Sequence, residues 1–217
     1  MTSTAKQVWE AIEEDVVARR ALEKEIVSLK NLAVYLIKKE KLDASADAVI
    51  SAIRRYKEER PLEKRYDHAK KIIAQSTDVR ITTNIAQIVL ERSHEVQRLL
   101  QQAFETINYE KGDLLLVMQG EQTLKLLINQ KNLERILAAF PKRSVREVKK
   151  DLAQINVQLS EEAVRTPGII STISTELMLH GINLEEMMSC VPEMLFFVRQ
   201  KDVVRAYEVL DGLCGKV

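Results

Sequence analysis

The stretch TPGIISTISTELMLHGIN, residues 166–183, decides the fold of the second half of the chain. A Pro-Gly pair stands directly before a helical pattern, and Gly181 follows that pattern. Proline suits the first turn of a helix, and glycine suits the left-handed residue that ends one. The stretch therefore predicts a helix over residues 168–180 with a defined residue at each end.

Strand patterns lie on both sides of this helix. Ile155, Val157 and Leu159 alternate with polar residues, as expected of a strand with one buried face. The apolar runs after the helix predict two strands around Pro192, and a last amphipathic pattern follows them. The predicted elements, in chain order, are a strand at 151–160, the helix, strands at 182–191 and 193–200, and a helix at 202–214.

The same order of elements occurs earlier in the chain. Its predicted members are a strand at 78–91, a helix at 94–107, two strands within 113–130 and a helix at 131–140. The two strands lie around Gly120, and the apolar stripe of the first helix includes Phe104. Two successive copies of a βαββα pattern of about 70 residues predict an α+β fold, with tandem ferredoxin-like βαββαβ domains at 77–150 and 151–217.

The beginning of the chain is helical by pattern. Apolar residues recur at spacings of three and four in three segments, which predict a three-helix unit in residues 1–60. The stripe of the first helix includes Val16 and Val17. Asp43 or Ser45 can cap the third helix by accepting backbone N–H bonds.

A further helical pattern follows at residues 61–76. Pro61 suits its first turn. The apolar positions that keep helical spacing in it are Leu62, Tyr66, Ala69, Ile72 and Ile73. We interpret this segment as a connecting helix between the helical unit and the first βαββα copy.

The second and third helices are also typical of a helix-turn-helix DNA reader, whose second helix lies in the major groove. The candidate DNA-binding residues on that helix are Ser51, Arg54, Arg55 and Lys57. Residues 30–75 hold twelve Lys and Arg against seven Asp and Glu, while the whole chain has a net charge of +1. This local excess favours DNA as a partner. A solvated helical face, or a packing or dimerisation unit, is the alternative interpretation.

Composition describes an ordinary globular protein. The chain has 217 residues, of which 46% are hydrophobic and 30% are charged. No apolar run approaches the roughly 18 residues needed to span a bilayer. The N-terminus lacks the basic-then-apolar order of a signal peptide. We therefore expect a cytoplasmic protein without membrane contact.

Residue patterns that support catalysis or metal binding are missing from the sequence. Cys190 and Cys214 are the only cysteines, and no histidine stands beside them. The chain has no P-loop, no G-x-G-x-x-G and no G-x-S-x-G motif. We expect reduced thiols, no metal, no cofactor and no enzymatic activity.

Residues 151–213 resemble an ACT domain of the aspartokinase type, the amino-acid-sensing module attached to many biosynthetic enzymes. The residues that carry the resemblance are Pro167-Gly168, Gly181-Ile182-Asn183, Ser189 and the acidic, apolar last helix. Residues 77–150 are similar in pattern only and have no Pro-Gly pair before their helix. The Lys-Phe-Gly-Gly signature that opens aspartokinase catalytic domains is absent.

The resemblance implies an effector site built from the loop after the first strand of one copy and the second strand of a neighbouring copy. The implied ligand-binding residues are Thr166, Pro167, Gly168 and Ile169 in the loop and Ile182 and Asn183 in the strand. Gly168 has no Cβ, so a ligand can approach the backbone, where unpaired amides at the start of a helix favour a carboxylate. The side chain of Asn183 offers both a donor and an acceptor to the rest of the ligand.

Two functions follow as hypotheses. The first is a ligand-responsive, DNA-binding transcriptional regulator that senses a small molecule. The resemblance to ACT domains implies that this molecule is an amino acid. The second is a stand-alone sensor that regulates an amino-acid biosynthetic enzyme by protein contact, without DNA binding. We expect a homodimer in either case, because a sheet of this kind leaves an edge free to pair.

Overall fold

The chain forms two compact units, divided between Arg65 and Tyr66. The computed structural model describes residues 3–59 and 65–215. Over these residues the N-terminal unit is helical, and the C-terminal unit combines helices with one sheet. Each unit has its own hydrophobic core.

Four helices form the described part of the N-terminal unit, where three were expected. They are α1 (Thr4–Glu14), α2 (Val16–Glu23), α3 (Leu29–Glu40) and α4 (Ala46–Glu59). Their inner sides bury one cluster that includes Ile12, Leu36 and Tyr56. Trp9 packs edge-on against Tyr56, with 6.1 Å between the ring centroids.

Asp15 divides the segment that was expected to be a single first helix. Its backbone is extended, and its carboxylate accepts the N–H groups of Val17 at 3.0 Å and Ala18 at 2.9 Å. Asp15 is therefore the C-cap of α1 through its backbone and the N-cap of α2 through its side chain. The expectation that Val16 and Val17 lie on the buried stripe was wrong: the cap turns them outward, and they are 64% and 77% exposed.

The C-terminal unit contains one six-stranded antiparallel sheet with the order β2-β3-β1-β4-β6-β5. Its elements are α5 (Arg65–Ile73), β1 (Asp78–Glu91), α6 (His94–Thr106), β2 (Leu115–Gln119), β3 (Thr123–Asn129), α7 (Leu133–Leu137), β4 (Val145–Gln158), α8 (Ile169–Leu179), β5 (Glu186–Cys190), β6 (Glu193–Arg199) and α9 (Val203–Leu213). The succession strand, helix, strand, strand, helix therefore occurs twice. We call β1 to α7 the first copy and β4 to α9 the second copy.

The two long strands are shared between the copies. Residues 85–91 of β1 pair with β3 in the first copy, while residues 78–82 pair with residues 154–158 of β4. The early part of β4 in turn runs along β1 beside the first copy, and its later part pairs with β6. The sequence pattern placed the start of this strand at 151, but β4 begins at Val145.

Asn84 and Asp151 mark the points where the long strands pass from one copy to the other. Both residues have a φ of +57°, which asparagine and aspartate tolerate better than most residues. The Asn84 N–H donates to Gln200 Oε1 at 2.9 Å, and the Asp151 N–H donates to Gln130 Oε1 at 2.8 Å. The two crossing points are thus built in the same way.

The sheet folds back on itself. Three strands lie between β3 and β5 in the sheet order. In a flat sheet these two strands would therefore be four strand spacings, or roughly 19 Å, apart. Lys125 of β3 nevertheless contacts Glu186 of β5, with 2.6 Å between Nζ and Oε2. A central apolar layer, formed by side chains of both copies, lies on this inner face. Its buried members are Ile85, Leu127, Leu152, Leu195 and Phe197.

α5 packs on the second copy. Ala69, Ile72 and Ile73 are buried in the same cluster as the inner residues of β4, α8 and α9. Lys70 pairs with Glu176 of α8 at 2.6 Å, and the Tyr66 hydroxyl donates to the same carboxylate. The ion pair with Lys70 lowers the pKa of Glu176. Pro61 and Leu62, which were predicted to begin the connecting helix, lie outside the described residues.

Within residues 3–59 and 65–215, no helix is both long and apolar enough to cross a membrane. In the same residues, no group of three or more His, Cys, Asp and Glu side chains is placed to hold a metal ion. Both cysteines are free thiols. Cys190 is exposed at the end of β5, whereas Cys214 is buried after α9.

Candidate functional site

A cavity of about 560 Å³ lies between the start of α8 and the hairpin that joins β5 to β6. The hairpin turns through a cis peptide bond between Val191 and Pro192. The Pro192 carbonyl accepts the N–H of Leu159 at 2.9 Å, which holds the hairpin against the end of β4. Strand pairing between β4 and β6 therefore brings two distant parts of the sequence to one site.

Gly168 lines the cavity, is exposed, and is the N-cap of α8. Its φ is +98°, a conformation that residues with a side chain rarely adopt. A Cβ at this position would lie 3.6 Å from Ala69 Cβ and 3.8 Å from Ser171 Oγ, which is ordinary contact. Glycine is thus required first by the backbone conformation. The sequence had suggested only that it leaves room for a ligand.

The first turn of α8 forms one wall of the cavity. The N–H of Thr172 is the first to bond within the helix, donating to the Gly168 carbonyl at 2.8 Å. The preceding amides have no intrahelical partner, and Gly168 provides no side-chain cap. Gly168, Ile169, Ile170 and Ser171 all line the cavity. This wall therefore favours a negatively charged group.

Hydroxyl groups and one carboxylate supply the polar part of the remaining lining. The hydroxyls belong to Thr166, Ser171, Ser174 and Ser189. Among the described residues that line the cavity, Glu193 has the only ionisable side chain. Its carboxylate accepts the side-chain N–H of Asn156 at 2.8 Å and keeps further acceptor capacity.

Aliphatic side chains form the rest of the wall. Leu159, Ile169 and Met194 are buried at its base. Val164, Ile170 and Val191 lie at the mouth, where each is about half exposed. The site therefore combines a place for an anion, acceptors for a cation and an apolar mouth.

The sequence-predicted ligand residues separate into two groups. Thr166, Gly168 and Ile169 line the cavity, and Pro167 is exposed beside them. Ile182 and Asn183 were predicted to lie on a strand, but they precede β5, which begins at Glu186. Ile182 is buried in the core, and the side-chain amide of Asn183 donates to Glu185 at 3.3 Å. The resemblance assigns these two to the site of a neighbouring copy.

Sequence reasoning did not assign a binding role to Ser171, Ser174, Val191 or Glu193. The two serines could have been found, because residues three apart on a helix share a face and both follow the Pro-Gly pair. The hairpin residues could not, because only the pairing of β4 with β6 brings them next to α8.

A polar groove of about 850 Å³ lies in the first copy, between the end of α6 and the start of α7. It does not correspond in position to the cavity of the second copy, which lies at the start of α8. The groove's buried Asp113 carboxylate accepts the Asn108 N–H at 3.2 Å and the Asn132 side chain at 3.0 Å, and it pairs with Lys131 at 2.5 Å. The hydrogen bond with Lys131 is the main cause of its low pKa, about 2. The Asp113 carboxylate is thus already bonded to other residues of the protein.

The candidate DNA-binding residues lie on α4. Ser51, Arg54 and Arg55 are exposed, and neither arginine forms an ion pair with another residue in the described ranges. Lys57 is instead paired with Glu25, with 2.9 Å between Nζ and Oε1. Ser45, one of the two predicted caps, accepts the N–H of Ala48 at 3.2 Å.

No protein-family model matches the sequence, and no curated protein does. Similar folds occur among solved structures, in the regulatory parts of aspartate kinases. The regulatory subunit of aspartate kinase from Thermus thermophilus is 15% identical with a TM-score of 0.52, covering 64% of this chain and 98% of its own. That from Thermus flavus is 14% identical with a TM-score of 0.53 and the same coverage.

The whole aspartate kinase of Clostridium acetobutylicum is also similar, at 16% identity and a TM-score of 0.53. The match covers 64% of this chain but only 34% of that enzyme. At these identities the similarity establishes the fold alone. The matched part of the chain therefore has the mixed helix and antiparallel-sheet fold of aspartate kinase regulatory subunits.

Proposed function

We propose that this chain is a regulatory protein that senses a small molecule, has no enzymatic activity of its own, and binds an amino acid in the cavity at α8. The C-terminal unit would then be a tandem pair of ACT domains at 77–150 and 151–217. A homodimer, joined through β2 or β5 at the two ends of the sheet order, stays a prediction, as does a cytoplasmic location.

The composition of the cavity is the observation that carries this proposal. Its volume, about 560 Å³, lies within the range of roughly 300 to 1,000 Å³ that is common for small-ligand sites. The first-turn amides of α8 suit a carboxylate, and Glu193 suits an ammonium group. Both charged groups of an amino acid therefore have a partner within one space.

We expect at least one of the twenty amino acids to bind and to stabilise the chain. At a free ligand concentration of 100 times Kd, the stabilisation would be about 2.7 kcal/mol. Calorimetry and thermal unfolding with each amino acid measure this. Gly168→Val is a poor test, because a side chain at a φ of +98° strains the backbone with or without a ligand.

Ser174→Leu is the sharper variant, because it places bulk in the cavity from a helical position. Thr175→Leu is its matched control, since Thr175 is the next residue of α8 and does not line the cavity. Loss of binding in the first variant alone supports the site. No binding of any amino acid by the unmodified chain would remove the proposal.

A second candidate function is DNA binding by the N-terminal unit, combined with ligand sensing in a transcriptional regulator. The supporting observation is the exposed row of Ser51, Arg54 and Arg55 on α4. In the absence of DNA binding, the alternative is a sensor that regulates a biosynthetic enzyme by protein contact. Co-purification of such an enzyme would favour that alternative.

If the unit binds DNA, the double variant Arg54→Glu, Arg55→Glu should weaken binding. The slope of log K against log salt concentration should also become less steep by about 2, because two phosphate contacts are lost. Fluorescence anisotropy with duplex DNA at several salt concentrations measures both quantities. The control is Lys30→Glu, Lys38→Glu, which makes the same charge change on the exposed side of α3. An equal loss in both variants, or no salt-dependent binding at all, would count against DNA as the partner.

A further inference from the structure

The lining of the α8 cavity also limits the class of amino acid that it can hold. No lysine, arginine or histidine side chain lines it among the described residues, and Glu193 is its only carboxylate. We infer that the cavity binds a neutral amino acid with an aliphatic side chain, with the ammonium group on Glu193 and the carboxylate at the first turn of α8. This inference rests on the proposed function and gives it a ligand class.

The charge of the lining argues against ligands with charged side chains. Glu193 is the only acidic or basic residue of the lining in the part of the chain that the structure describes. The side chain of an acidic ligand would find no cation among these lining residues, and the side chain of a basic ligand would find no carboxylate besides Glu193. Specificity of this kind arises because the wrong ligand leaves a charge without a partner.

The hydroxyl groups of the helix strengthen the case for an ammonium site. Ser171 Oγ donates to the Gly168 carbonyl at 3.0 Å, and Ser174 Oγ donates to the Ile170 carbonyl at 2.7 Å. Each hydroxyl has only one proton, so both oxygens are left as acceptors. Together with Glu193, they offer a ligand acceptors and no side-chain donor.

The apolar mouth favours an aliphatic side chain over a polar one. Val164, Ile170 and Val191 are about half exposed and lie around one opening. An aliphatic group bound there would remove apolar surface of both the ligand and the protein from water. Each Å² removed stabilises the complex by about 25 cal/mol. A polar side chain would lose its hydration without finding a partner among these three residues.

The test compares ligands and variants by calorimetry. We expect valine, leucine or isoleucine to bind at least about tenfold more tightly than aspartate, glutamate or lysine, a difference of about 1.4 kcal/mol. We also expect valine to bind about tenfold more tightly than 3-methylbutanoate, which has the same carbon skeleton without the ammonium group. Glu193→Gln should reduce that second preference to within about threefold.

Glu162→Gln is the matched control, because Glu162 is exposed on the short helix at 161–165 and does not line the cavity. It should leave both preferences unchanged. The Glu193→Gln variant can still accept from Asn156, and the ligand ranking of the unmodified chain tests the ligand class even if that variant does not fold.

The outcomes separate the two levels of the proposal. If no amino acid binds, the proposed function itself fails. If a charged amino acid binds most tightly, the ligand class is overturned while the sensing function survives. If Glu193→Gln keeps the full preference for valine over 3-methylbutanoate, the assignment of Glu193 to the ammonium group is overturned.

Discussion

Phe197→Ala is expected to lower the free energy of unfolding of the C-terminal unit by about 3 to 5 kcal/mol. Phe197 lies on β6, is fully buried and contributes to the central apolar layer. That layer also includes Ile85 of β1 and Leu127 of β3. Removing the ring would open a cavity between the copies, so both should lose stability together.

Hydrogen exchange read by mass spectrometry measures this effect strand by strand. Peptides from β3, in the first copy, and from β6, in the second, should lose protection to a similar extent. Phe104→Ala is the matched control, since Phe104 is 44% exposed on α6, and it should cost less than about 1 kcal/mol. Equal losses in the two variants, or a loss confined to the second copy, would contradict a shared layer.

Asp15→Ala is expected to destabilise the N-terminal unit by about 2 to 3 kcal/mol. The buried carboxylate caps α2, accepts the Tyr35 hydroxyl at 2.6 Å and pairs with Lys39 at 2.8 Å. Alanine would remove all of these bonds at once. Trp9 is the only tryptophan and lies in this unit, so its fluorescence during urea unfolding reports the loss.

The effect should depend on pH in a defined direction. Hydrogen bonds from Lys39 and Tyr35 hold the pKa of Asp15 far below its usual value. A lowered pKa gives stability that is fully present above the unfolded pKa, roughly 3.9, and is lost as the pH falls toward the folded pKa. The difference between the unmodified chain and Asp15→Ala should therefore be constant above about pH 5 and shrink at lower pH.

Asp15→Asn serves as the control, because asparagine also caps helices but carries no charge. It should lose less stability than Asp15→Ala at pH 7. Equal losses would mean that the charge, and not the cap, provides the whole contribution.

Most elements of the C-terminal unit could be predicted from local pattern. β2 and β3 lie on either side of Gly120, and β5 and β6 meet at Pro192, as predicted. The helix after Pro167-Gly168 was predicted as well. Periodicity and turn residues act over a few positions, and a strand or helix of this size is specified by them.

The N-terminal unit shows where local pattern was insufficient. Asp15 could be taken as one more polar residue on a helix surface. Its role as a buried cap depends on Tyr35 and Lys39, which are distant in sequence, and on the position of α3 beside the junction of α1 and α2. The exposure of Val16 and Val17 follows from that cap.

The sequence by itself determined the order of elements and the repeat, and it predicted the loop residues Thr166, Gly168 and Ile169, which line the candidate cavity. Only the tertiary structure decided that the copies share β1 and β4, that the sheet folds back around Phe197, and that Glu193 joins the site. The physical reason is that strand pairing and side-chain packing join residues far apart in the chain, whereas periodicity reports only a residue's near neighbours.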